Sequence, residues 1–185
     1  KEKKEAKRAK KAGKTGEIQK IINTANTTFP NMWVAYGVPI VWDFLVQGTP
    51  QILWGRCHYT TAMLTTEGKV LWYGKHNEGS WMIESFGNVE DASGVLIGGG
   101  GYPEGFRCID PKTGATKWSY PLSDATKLDG STIAADVDGD GIQEFLFTHN
   151  TTLYALNGKG GAANPVWQMD LPAKPGSLAY ADADS

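Results

Sequence analysis

An acidic frame recurs along the chain at intervals of about 46 residues, and that period constrains the fold more than any other feature. In Ile133–Phe147, IAADVDGDGIQEFLF, Asp136, Asp138 and Asp140 lie two apart, followed by Gly141 and Glu144. The stretch SLAYADADS places Asp182 and Asp184 in the same frame one period later. One period earlier stands Asn88, in GNVEDASGVLIGG, and before it Asp43, in WDFLVQGTPQILWG. The first copy keeps Asp43 at position 1, Gly48 at position 6 and Gln51 at position 9 but has no middle acids. The second keeps Asn88 and Glu90 and reads as shortened. Trp72, Trp118 and Trp167 follow the three starts by 29, 30 and 31 residues, which confirms the register.

Each unit reads as a strand into the loop, a strand out, a third strand, a Gly-bearing turn and a fourth strand carrying Trp. The flanks are short, alternating and rich in β-branched and aromatic residues. Four short strands in about 46 residues is the size of one β-propeller blade. A Trp at one place in every blade suits a wedge packed between neighbours. The expected fold is all-β: about three four-stranded blades over 37–78, 79–123 and 130–172, with the first strand of a fourth over 176–185. Propellers close with four to eight blades, so the missing ones are expected from the same or another chain. Three blades alone would leave two apolar faces open.

The segment before the blades is different material. Residues 1–20 hold nine Lys/Arg against three Asp/Glu, so the rest of the chain carries about −8. Such a body repels nucleic acid. Residues 1–17 read as a basic tail or linker. Ile18, Ile21, Ile22, Ala25 and Phe29 share one helical face, so 18–30 reads as a short amphipathic helix ended at Pro30. No stretch approaches the roughly 20 apolar residues of a membrane span.

The loop at Asp136 has the chemistry of a calcium site. Calcium takes six to eight oxygen ligands at roughly 2.3–2.6 Å. Asp136, Asp138, Asp140, the backbone carbonyl of Ile142 and the side chain of Glu144 are the candidate ligands, and Gly141 permits the turn. Asp182 and Asp184 are a possible second site. An EF-hand is excluded, because its twelfth position must be Glu and here it is Phe147, between strands rather than helices. The alternative is a solvated acidic turn.

Other motifs are sparse. No Ser-His-Asp, G-x-S-x-G, zinc or phosphate-loop pattern occurs, and His58, His76 and His149 are isolated. Gly98–Tyr102, GGGGY, opens no helix and reads as a flexible turn. Cys57 and Cys108 are either paired in an oxidising compartment or buried free thiols. Asn26 and Asn150 lie in N-x-T sequons that would carry glycan in a eukaryotic secreted protein.

The acidic frame resembles the calcium loop of FG-GAP repeats, found in the propeller of integrin α chains and in many bacterial secreted proteins. The pattern there is D-x-D-x-D-G-x-x-D, and Glu144 stands for its last Asp. Ile109–Trp118, IDPKTGATKW, resembles the tryptophan-docking repeat of quinoprotein-type (PQQ-like) propellers, with Asp110, Thr113, Gly114 and Trp118 at matching positions. Together the two resemblances cover residues 37–185. They imply a module with structural Ca2+, extracellular, cell-surface or periplasmic, that binds a protein or carbohydrate partner or serves a structural role. The competing implication is part of a propeller enzyme, a polysaccharide lyase or quinoprotein-like dehydrogenase, with catalytic residues outside these 185 positions. No cofactor-binding acids with Arg, and no lyase base, are recognisable here, which favours a non-enzymatic module.

Overall fold

A computed structural model describes residues 39–181 except 57–59, 76–81, 92, 102–104 and 123–127. The basic tail, the amphipathic helix, Asn26, Cys57, Asp182 and Asp184 lie outside the described residues. The described chain forms three four-stranded antiparallel meanders. The first holds β1 (Ile40–Trp42), β2 (Gln51–Arg56), β3 (Thr60–Thr65) and β4 (Val70–Lys75). The second holds β5 (Met82–Gly87), β6 (Leu96–Gly101), β7 (Gly105–Ile109) and β8 (Thr116–Tyr120). The third holds β9 (Asp129–Ala135), β10 (Glu144–His149), β11 (Thr152–Asn157) and β12 (Asn164–Asp170), with a 3-10 turn at Lys159–Gly161. The only helical element among the described residues is that turn, and none of their helices is long and apolar enough to cross a membrane.

Strand alternation gives every sheet two apolar faces, and successive sheets bury them against each other. Leu53, Met63 and Trp72 are cross-strand partners on one face of the first sheet. They pack with Phe44, Ile97, Ile109 and Phe86 in one cluster between the first and second sheets. On the other side of the second sheet, Phe106, Cys108 and Trp118 pack with Phe145, Phe147 and Leu156 of the third. Phe106 stacks on Phe147 with centroids 4.4 Å apart. The three sheets are therefore consecutive blades of a partial β-propeller.

The fourth-strand tryptophans make the junctions. Trp72 Nε1 donates to the carbonyl of Pro111, 2.7 Å away in the next blade. Its ring fills the space above Gly114, where a Cβ would lie 2.4 Å from Cε3. Asp110 shapes that turn: its Oδ1 accepts from Lys112 N at 2.8 Å and its Oδ2 from Thr113 Oγ1 at 3.1 Å. Gly114 closes it with φ +73°. Trp118 repeats the move on Gly158, whose Cβ would lie 2.5 Å from Nε1. Trp167 occupies the same strand position in the third blade and packs with Leu146, Ala155 and Leu178 on the face turned away from the second.

Two expectations need correction. The glycine run is not a turn: Gly98–Gly101 lie within β6. A Cβ at Gly98 would meet the rings of Phe145 and Phe106 at 2.7 and 2.9 Å, so glycine there makes room for the neighbouring blade. The second loop is not shortened. Residues 43–50, 88–95 and 136–143 span eight positions each between the first and second strands of their blades. Residues 171–181 carry no strand, although Leu178 packs on the third blade. A first strand pairs only with the second strand of its own blade, and no such neighbour lies among the described residues.

Candidate metal centre

The first and third loops share one backbone conformation. Counting from Asp43 and Asp136, position 4 is Val46 (φ 54°) or Gly139 (φ 78°), and position 6 is Gly48 (φ 74°) or Gly141 (φ 85°). A left-handed β-branched residue such as Val46 is disfavoured, so the loop itself imposes that conformation. Its restraints are hydrogen bonds donated by loop N–H groups to the side chains of the first and ninth residues. Asp43 accepts from Gln47 N at 3.0 Å and Gly48 N at 2.7 Å. Asp136 accepts from Gly139 N at 2.8 Å and Gly141 N at 3.0 Å. Gln51 Oε1 accepts from Leu45 N, and Glu144 Oε2 from Val137 N, both at 3.1 Å.

The loops differ in how their charge is handled. The first has no acid at positions 3, 5 or 9. In the second, Glu90 at position 3 is ion-paired to Lys117 of β8. That hydrogen bond to Glu90 holds the Lys117 ammonium above the usual lysine range. Asp91 Oδ1 accepts from Ser93 N at 2.7 Å, and hydrogen bonds from Ser93 keep its carboxyl below the usual range.

The third loop keeps its excess. Asp136, Asp138 and Glu144 each present a carboxylate oxygen, and these atoms lie within 4.8 Å of one another. Glu144 is 0% exposed. Its Oε1 accepts from Asn157 Nδ2 at 3.1 Å, and Asn157 Oδ1 accepts from Asn164 Nδ2 at 3.1 Å. Among the described residues no ion pair reaches any of these three acids. A fully buried carboxylate with only neutral donors, aimed at two others, matches a hard cation's demand for oxygen. The residues thus fit calcium. Asp140 lies outside this group: its Oδ2 is ion-paired to Lys159, and its Oδ1 accepts from Ile142 N at 2.9 Å. Asn157, Lys159 and Lys117 are missed by sequence spacing, because they reach the loops across the sheet.

The second and third loops are also joined. Asn88 N donates to Gln143 Oε1 at 2.9 Å, and Gln143 N to the Asn88 carbonyl at 3.0 Å. Gly158 N donates to the Val89 carbonyl at 2.6 Å. Between the first two loops lies a cleft of about 250 Å³ bordered by Phe44, Glu90, Asp91, Asp110 and Lys117. Cys108 is a free thiol, 0% exposed, and Cys57 lies outside the described residues. Burial pushes the Cys108 pKa far up, which leaves it unreactive. Asn150 sits exposed in the turn joining β10 and β11, with φ 54°.

No family model and no curated protein matches the chain. Among solved structures it is similar to BamB from Moraxella catarrhalis, at 17% identity and a TM-score of 0.44. The match covers 72% of this chain and 37% of that one.

Proposed function

We propose that the chain is a calcium-stabilised propeller module of the FG-GAP kind, working outside the cytoplasm and presenting its loops to a protein or carbohydrate partner. The observation that carries the calcium reading is Glu144, fully buried beside Asp136 and Asp138, with no ion pair to any of the three among the described residues. Asp136, Asp138 and Glu144 would hold the ion, with the Ile142 carbonyl as a further oxygen. The bound ion would neutralise the cluster. Asp140 joins only if Lys159 gives way. The role is structural, because the loop links β9 to β10 and its neighbour Gln143 is bonded to the second blade's loop. Millimolar calcium outside cells suits a site with few protein ligands. Calorimetric titration with calcium chloride tests this reading. A saturable site lost in Asp138→Ala supports it, and no heat of binding at millimolar calcium rejects it.

A further inference from the structure

We infer that Lys159 is a built-in counter-cation of the third loop, which a divalent ion must displace from Asp140, and that it sets how tightly the loop holds the ion. This rests on the calcium reading above. The comparison among the blades carries it. The first loop has no acid at positions 3 or 5. The second has Glu90 at position 3, neutralised by Lys117 from its own blade. The third has acids at positions 3 and 5, and its lysine reaches only the latter. An ammonium therefore stands in for a metal at one loop and does part of the same work at another.

The mounting of Lys159 suits an exchangeable arm. Its backbone N–H donates to Asn157 Oδ1 at 3.3 Å, on the residue that also holds Glu144 Oε1. The preceding Gly158 is fixed to Val89 and lies under Trp118. The base of the side chain is thus anchored to the blade junction, while its flexible four-carbon stem leaves the ammonium free to swing. The Lys159 and Asp140 side chains are 41% and 32% exposed, so both are reachable from solvent. With the ion absent, Lys159 relieves repulsion among the four acids. With the ion present, it is a like charge beside the ion, and its departure releases Asp140 as a ligand.

The test is calorimetric titration of calcium chloride into wild type, Lys159→Gln and Lys159→Arg, with thermal unfolding of each in chelator. Loss of one partially exposed ion pair predicts binding about fivefold tighter in Lys159→Gln. Lys159→Arg, which keeps the charge, stays near wild type. In chelator, Lys159→Gln melts lower than wild type, and the gap narrows in high salt. If wild type binds calcium and Lys159→Gln binds no tighter, the counter-cation role is overturned while the calcium site stands. If neither protein binds at millimolar calcium, both readings are overturned.

Discussion

Glu144 and Gln51 occupy the same place in two loops, one as a carboxylic acid group and the other as a neutral amide. Both are buried, at 0% and 3% exposure, and both accept from the loop backbone through one side-chain oxygen. Gln51 shows that an amide fills the position without a cation. A buried carboxylate held only by neutral donors carries a desolvation cost that an ion offsets. Glu144→Gln is therefore expected to change sign with calcium. In chelator it should raise stability by about 1–2 kcal/mol, and in excess calcium it should lower it by a similar amount. Thermal unfolding of the two proteins in both buffers checks this. Equal shifts of one sign in both buffers would mean that charge at this position is immaterial to the ion.

At the scale of the element, the eight-residue loop between the first and second strands appears in singly acidic, lysine-paired and acid-rich forms. The second form makes its own prediction. Lys117 is held above its ordinary value of 10.5, chiefly by its hydrogen bond to Glu90. A raised folded-state value stabilises fully below 10.5, and that contribution is lost as pH rises through the folded value. Lys117→Met should therefore cost about 1 kcal/mol at neutral pH, since the pair is partly exposed. The gap should close in strongly alkaline solution, as read by urea unfolding across pH. The acid frame was legible in the sequence because its acids lie within nine residues starting at Asp136. The counter-charges were not, because Lys117 approaches from the fourth strand of its blade and Lys159 from the turn that follows the third strand of its own. The second loop looked shortened because Leu96 stands at its ninth position and no acid marks its end.

Across the whole molecule, the 46-residue period and the tryptophan spacing were enough to give the blades, since each repeat is one meander. The packing partners were less legible. Gly98 serves the third blade's Phe145, some 47 residues away, and nothing local distinguishes it from a turn glycine. Gly114 and Gly48 offer a direct measure of a junction. Their φ values are +73° and +74°, but Gly114 lies under Trp72 while Gly48 has nothing within 4 Å of a Cβ. Alanine at either position pays the left-handed strain, and only Gly114→Ala also displaces the tryptophan. It should cost about 1–3 kcal/mol more than Gly48→Ala in denaturant unfolding. Equal costs would mean that Trp72 is not wedged between blades.

The most direct test of the calcium-stabilised propeller is thermal unfolding of the chain in excess calcium and in chelator, with Asp138→Ala alongside. A ligand at 100 times its Kd adds about 2.7 kcal/mol, which for a chain of this size is a rise of about 5–10 °C. That rise is expected in wild type and is lost in Asp138→Ala. Identical melting of wild type in calcium and chelator would contradict it.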